Sequence, residues 1–336
     1  MIVQSKSPCR VDLAGGTIDI WPLYLFHERC LTVNFAVDRY TTCEIRTRND
    51  SKIVLQSADQ KGEEVFDSFD ALAAAPKYKL PLLAYVVRYF RPATGIELRT
   101  HSEAPAGAGI SGSSSLIISI SSAFNKLNGA GYSIEKIREI SQNIEAQIIR
   151  VPTGCQDYYP AMYGSVSAIE LGAGGIIRRE IRVSHDDLNE RIVLAYTGVP
   201  RNSGINNWEV MKAHINGDKG VRKNFEKIAA IANGMREALE TADWDGAAAL
   251  LREEWNHRRK NAPGISTELI DTLIASTRRV GAKAAKVCGA GGGGCVFFLV
   301  EKGRKERVQD TIAELGAEVL DVAVAPKGVS VRVSSK

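Results

Sequence analysis

Four segments of the 336-residue chain combine residue types that do chemistry. Pro105-Ala-Gly-Ala-Gly-Ile-Ser-Gly-Ser-Ser-Ser115 sets Gly107, Gly109 and Gly112 just ahead of an apolar run. Glycine permits close backbone approach and φ > 0, so several N–H groups can converge on one ligand. With the positive end of a following helix, such a loop cradles phosphate. The hydroxyls of Ser113, Ser114 and Ser115 add phosphate donors or Mg²⁺ ligands. No Gly-Lys-Ser/Thr ends the loop, so it is not a Walker A sequence, nor does it fit the dinucleotide fingerprint. Its plain alternative is a Gly/Ser turn capping a helix. Gly289-Ala-Gly-Gly-Gly-Gly294 leads directly into the apolar Cys295–Val300, so its backbone is expected against either a packed neighbour or a ligand phosphate.

Two further segments carry charge. Ser7-Pro-Cys-Arg-Val-Asp-Leu-Ala-Gly-Gly-Thr-Ile-Asp19 spaces Arg10, Asp12 and Asp19 along a strand-like stretch and a glycine turn. Arg10 offers a permanent cation with a donor fork, and Asp19 could accept sugar hydroxyls. Glu145 precedes the turn Val151-Pro-Thr-Gly154, and Asp157 follows it. Such a pair can divide labour, one carboxylate holding Mg²⁺ and the other taking or orienting a hydroxyl proton. Solvated surface charges are the alternative for both segments.

These residues need elements to hold them. Alternation and short apolar runs predict strands over 9–14, 41–47, 53–57 and 96–101, then a helix over 113–128 ended by Asn128-Gly129. Ser133 reads as the N-cap of a helix over 134–149, with Ile137, Ile140, Ile144 and Ile148 at helical spacing. Strands at 165–170 and 176–183 follow. The polar stretch Ser184–Arg191 marks the expected boundary, giving domains 1–185 and 186–336. Beyond it the pattern predicts a strand over 192–196, a loop over 197–208, and helices near 220–240, 243–260 and 267–280, with Asp243 and Ser266 as caps. The strand 295–300, a helix near 303–315 and strands 318–324 and 329–333 complete the chain.

Composition narrows the class. The 43 Lys and Arg against 39 Asp and Glu give a net charge of +4, without the basic stripe of a nucleic-acid binder. No apolar run approaches the ~20 residues of a membrane span, and the start lacks a signal-peptide pattern, so a cytoplasmic protein is expected. The six cysteines form no C-x-x-C pair and the five histidines no ligand-spaced pair, which disfavours disulfides and structural zinc.

Taken in order, the segments resemble the GHMP kinases, the superfamily of galactokinase, homoserine kinase, mevalonate kinase and phosphomevalonate kinase. The family's P-x-[RK]-[VI]-[DN]-[LF]-x-G strand and turn matches Pro8–Gly15. Its P-x-G-x-G-[LI]-x-S-S-[SA] loop matches Pro105–Ser114, and its G-A-G-x-G-G tract matches Gly289–Gly294. Within the superfamily, Leu13–Asp19 and Gln156-Asp157-Tyr158 are most similar to the heptose-phosphate kinases. Two departures stand out: Thr17-Ile18-Asp19 where that group has Gly-Thr-Asp, and Gly112 where it has Ser.

The resemblance implies an α+β, two-domain fold, with a ribosomal protein S5 domain 2-like N-terminal domain and a ferredoxin-like C-terminal domain. The active site would lie in the cleft between them. It implies Mg²⁺- and ATP-dependent phosphorylation of a sugar or sugar-phosphate hydroxyl, by a monomer or homodimer. Pro105, Gly107, Ala108, Gly109, Ser111, Gly112, Ser113, Ser114 and Ser115 would bind ATP, with Ser113 and Glu145 on Mg²⁺. Asp157 would be the base or orienting group for the acceptor. Arg10 would neutralise charge on the transferring phosphoryl group or pair with Asp157. Asp12, Gly16, Thr17, Asp19, Gly291 and Gly292 would shape the acceptor pocket, and Arg201 would meet an anionic substrate group.

Overall fold

Two long antiparallel strands, β1 (Ile2–Ala14) and β2 (Leu31–Thr47), run through the first sheet of the computed structural model, which describes residues 1–200, 205–260, 264–289 and 291–334. Both exceed the expected 9–14 and 41–47. The first half of β2, LTVNFAV, is buried throughout and so shows no alternation to read. β3 (Ile53–Ser57), β4 (Gly62–Phe66) and β5 (Ile96–Ser102) extend the sheet in the order β1-β2-β5-β3-β4. Of these pairs only β3–β5 is parallel. β6 (Val166–Gly172) pairs with the first half of β2, and β7 (Gly175–Glu180) pairs with β6.

Helices cover one face of this sheet. α1 (Phe69–Ala74) and α2 (Pro81–Phe90) were not expected, although Pro81 sits in the first turn, where its missing N–H costs nothing. α3 (Gly112–Leu127) and α4 (Ile134–Ile149) match the sequence pattern, and Ser133 caps α4 by accepting from Lys136 N at 3.2 Å. α5 (Tyr158–Tyr163) follows the 150–157 turn. Ile117 and Phe124 of α3, Val87 of α2, Ile45 of β2 and Leu98 of β5 share one buried cluster. Serines line the inner face of α3: Ser5 Oγ donates to Ser119 O at 2.8 Å, so the helix lies close on β1.

The chain changes sheet across 184–191, where Ser184 caps the short helix α6 (His185–Asn189). β8 (Ile192–Tyr196), α7 (Ile205–Ile215), α8 (Lys219–Glu240), α9 (Trp244–Arg258), α10 (Glu268–Arg278), β9 (Ala282–Val287), β10 (Cys295–Val300), α11 (Lys305–Glu314) and β11 (Glu318–Leu320) build the second half. Its sheet is antiparallel in the order β11-β8-β10-β9. α7 begins inside the expected 197–208 loop. β9 was missed because AKAAKV is poor in β-formers. Asp243 caps α9, whereas α10 is capped by Thr267, leaving Ser266 to bond Asp271. The last strand, β12 (Ser330–Ser334), returns to pair with β1, so residues 186–336 do not close as a unit. A second buried cluster joins the halves: Phe35 of β2 meets Phe297 of β10 edge-on, with ring centroids 5.8 Å apart.

Candidate active site

Between β5 and α3 the chain makes the glycine loop. Ala108 N donates back to Pro105 O at 3.0 Å, and Ser111 enters α3 in the left-handed region (φ 59°) with its hydroxyl buried and without a hydrogen-bond partner among the described residues. The second half grips this loop. Cys295 N donates to Ala108 O at 2.7 Å, and a Cβ on Gly294 would stand 2.7 Å from that oxygen, so only glycine allows the approach. The rest of the tract is similarly committed. A Cβ on Gly291 would meet Ile265 at 2.6 Å, and Gly292 N donates to Ile265 O. Gly291 and Gly292 face the 264–265 backbone.

The first turn of α3 meets α4 and α5. Ser113 Oγ donates to Glu145 Oε1 at 2.7 Å, Ser114 Oγ to Oε2 at 3.0 Å, and the Tyr158 hydroxyl to the same Oε2. Burial raises the pKa of Glu145, opposed by the hydroxyls of Tyr158 and Ser113. A serine hydroxyl and a lone carboxylate are hard oxygen donors. That set suits Mg²⁺, which is held by one or two carboxylates together with substrate phosphates and water. Ser115 does not join them: its hydroxyl is buried against Thr41 Oγ1 and Ser7 O, so it holds α3 to the sheet.

On the other side of Tyr158 lies Asp157. Arg10 Nε and Nη2 both donate to Asp157 Oδ1, at 2.9 and 2.6 Å, while its Nη1 donates to Gly109 O at 2.7 Å. One guanidinium therefore joins the glycine loop to the carboxylate after the 150–157 turn. Asp12 is held by partners from the second half of the chain. Asp12 is 1% exposed and turned to the second half, with Oδ2 2.7 Å from Lys286 Nζ and 3.2 Å from Arg258 Nη1. Its Oδ1 accepts from Gly289 N at 3.1 Å and lies 3.3 Å from Arg10 Nη1. Burial alone would raise its pKa, but Lys286, Arg10 and Arg258 hold it well below the usual carboxylate range.

The turn 15–19 is likewise closed. Gly16 packs under the Arg258 guanidinium. Asp19 is buried, and its Oδ2 accepts from Gln156 N at 2.9 Å. Burial pushes its pKa up to about 6, against that backbone donor and with help from the charge of Asp157. A Cβ on Gly154 would fall 2.0 Å from Asp19 Oδ2, so Gly154 is required for Asp19 to reach Gln156. In this turn Thr17 alone is half-buried, and its φ of 78° is a rare conformation for a β-branched residue.

The structure thus brings together Arg10 with Asp157, and Ser113 and Ser114 with Glu145. It places Asp12, Asp19 and Ser115 in supporting contacts, and Arg201 lies outside the described residues. Sequence reasoning missed Tyr158, Lys286, Arg258 and Glu254. A lysine inside the apolar stretch Ala284–Cys288 was the available signal for Lys286, because unpaired lysines are rarely buried. Arg258 sits in the run His257-Arg-Arg-Lys260, which looks like any solvated helix end.

The family model described as GHMP kinases N terminal domain matches residues 79–165, and that for GHMP kinases C terminal matches 235–318, about half of the chain together. The chain is 26% identical to a D-glycero-alpha-D-manno-heptose 7-phosphate kinase of Campylobacter jejuni, covering 97% of this chain and 98% of that protein. It is 26% identical to a mevalonate kinase of Pyrococcus furiosus over 88% of this chain and 90% of that one. A solved D-glycero-D-manno-heptose 1-phosphate kinase from Bacteriodes thetaiotaomicron shares the fold, with a TM-score of 0.81 at 24% identity over 99% of this chain and 100% of its own. The N-terminal match spans the glycine loop, Glu145 and Asp157, the C-terminal one spans Arg258, Lys286 and the glycine tract, and the chain accordingly belongs to the GHMP kinases, phosphotransferases with a hydroxyl acceptor.

Proposed function

We propose that this chain transfers the γ-phosphate of Mg-ATP to a hydroxyl of a sugar phosphate, with heptose 7-phosphate as the acceptor. The observation that carries the reading is the state of Asp157. Arg10 takes its Oδ1 with two nitrogens, while Oδ2, on a side chain 27% exposed, has no hydrogen bond among the described residues. Oδ2 is then free to receive the acceptor proton as the hydroxyl oxygen bonds to phosphorus and the bond to the leaving ADP oxygen breaks. Such transfer asks for positioning and charge neutralisation more than for covalent help.

When bound, Mg²⁺ supplies charge neutralisation at the phosphates. The chain's own part is to hold the parts in register. The 105–112 loop and the start of α3 offer backbone N–H groups to the phosphates. Ser113 and Glu145 would hold the metal, and Arg10 extends a fixed cation from the loop to Asp157. The N-terminal half is in this reading the ATP-binding part, and the turn 15–19, with Thr17, faces the acceptor. The acceptor class is supported by full-length similarity to the Campylobacter heptose 7-phosphate kinase. A cytoplasmic place fits this substrate set, and no helix among the described residues is long and apolar enough to cross a membrane.

The test is a panel of acceptors with Mg-ATP and ADP detection, containing heptose 7-phosphate, heptose 1-phosphate, fucose, galactose and mevalonate. Turnover with heptose 7-phosphate well above the others is expected. Turnover confined to a neutral sugar or mevalonate would overturn the acceptor, and none with any member would overturn the reading.

A further inference from the structure

We infer that Asp12 and Lys286 form a positioning pair through which the second half of the chain fixes Arg10; the inference rests on the reading of Arg10 and Asp157 as the transfer centre. Arg10 and Asp12 stand two residues apart on β1, so both project from one face of the strand. Asp12 draws three partners from beyond residue 250: Lys286 of β9, Arg258 of α9, and Gly289 N at the start of the glycine tract. Lys286 is wholly buried, and its other anion, Glu254 Oε1, is 3.9 Å away, so Asp12 is its close partner. An ammonium so placed is tolerated only with such pairing.

Charge balance alone does not account for the arrangement. Arg10, Arg258 and Lys286 face Asp12, Asp157 and Glu254, and Oδ2 of Asp12 already meets both Lys286 and Arg258. Oδ1 is directed elsewhere, to Gly289 N and to Arg10 Nη1, the nitrogen that also donates to Gly109 O. Asp12 therefore supplies a second fixed point beside Gly109 for the guanidinium plane whose other edge meets Asp157. Lys286 and Gly289 hold Asp12 in turn. The second half thereby sets the angle at which Arg10 meets both the phosphate loop and Asp157.

The test separates neutralisation from positioning. In Asp12→Asn, kcat with Mg-ATP and heptose 7-phosphate should fall on the order of 100-fold, the cost of an ångström-scale misplacement, with the KM for ATP little changed. Asp12→Asn combined with Lys286→Met removes one charge of each sign. It should regain thermal stability without regaining kcat, and the Arg10 Nε–H resonance, assigned by its loss in Arg10→Lys, should exchange faster with water. A double variant with wild-type kcat and a protected Arg10 resonance would overturn the inference. Should the Asp12 variants not fold, Lys286→Met alone is expected to lower kcat about tenfold and Lys286→Arg to restore it; unchanged turnover in Lys286→Met would equally overturn it. Arg10→Ala tells the two readings apart. Full turnover there refutes the transfer centre, in which case the Arg10 resonance still decides positioning. Lost turnover there beside a wild-type double variant refutes the positioning pair alone.

Discussion

Replacing Asp19 by Asn should stabilise the protein, relative to wild type, progressively as the pH rises from about 4 to about 7. Asp19 is buried beneath Gly154, and its pKa is pushed from 3.8 up to about 6 in the folded chain. A carboxyl raised on folding favours the native state while protonated. Its contribution is fully present below the unfolded pKa and is lost as pH climbs through the folded one. Between 3.8 and about 6, at ~1.4 kcal/mol for each tenfold change in proton activity, wild type should lose ~3 kcal/mol from this one group. Asparagine keeps an oxygen to accept from Gln156 N and has no proton to lose. The stability difference at a single pH also contains the fit of the new amide beside Gly154, whereas its slope with pH isolates the ionisation. Urea unfolding of both proteins at half-unit steps from pH 4 to 7.5 measures that slope. A difference that stays constant over the range would refute the argument that burial holds Asp19 protonated.

Other outcomes follow from the same contacts. Asp157→Asn should cut kcat on the order of 1000-fold, as removal of a general base does, while calorimetry shows ATP bound as before. Glu145→Gln and Ser113→Ala should each move the Mg²⁺ titration of the rate to higher concentration; an unmoved midpoint in both would place the metal elsewhere. Tyr158→Phe leaves Glu145 Oε2 with Ser114 alone and should cost about 1–2 kcal/mol in urea unfolding, with a smaller metal shift than Glu145→Gln. Gly154→Ala, whose Cβ would fall 2.0 Å from Asp19 Oδ2, should destabilise by about 1–3 kcal/mol. Adding Asp19→Ala should relieve that loss, and a harmless Gly154→Ala would show that the turn adjusts freely.

The sequence was most readable where backbone needs dictate residue type. The loop 105–112, the cap Ser133 and the helix Ile134–Ile149 were located because glycine, N-cap oxygen and helical periodicity leave local marks. Long-range commitments leave none. Nothing near Asp12 on β1 says that its partners stand at 258, 286 and 289; its place among the acceptor-pocket residues came from the family resemblance alone. The contact of Asp19 with Gln156 N, 137 residues on, was equally invisible. Strand β2 was half-read because burial on both faces erases the two-residue period, and β9 because alanines carry no strand signal. Ser115 shows the opposite failure. A serine triplet looks like one functional group, yet a helix turns 100° per residue, so its third member faces the sheet.

Three consecutive residues at the start of α5 explain how so small a site is kept in register. Gln156 gives its N–H to Asp19 and takes a hydrogen bond from Asn34 Nδ2 on its carbonyl, which ties the turn 15–19 and β2 to this point. Asp157 turns to Arg10, and through it to Gly109 of the phosphate loop. Tyr158 turns to Glu145, and through it to Ser114, on the carboxylate that Ser113 also meets. The turn 15–19, the loop 105–112 and Glu145 are therefore referenced to one stretch of backbone whose successive residues stand at fixed spacing. In the proposed reaction an error in any one of the three would misplace the reacting oxygen relative to phosphorus, and transfer by positioning is sensitive to a single ångström. This geometry also accounts for the burial of Asp12, Asp19 and Lys286. In the proposed reading they act on acceptor and phosphates through the residues they hold still, and they are closed off from solvent while Asp157 is not.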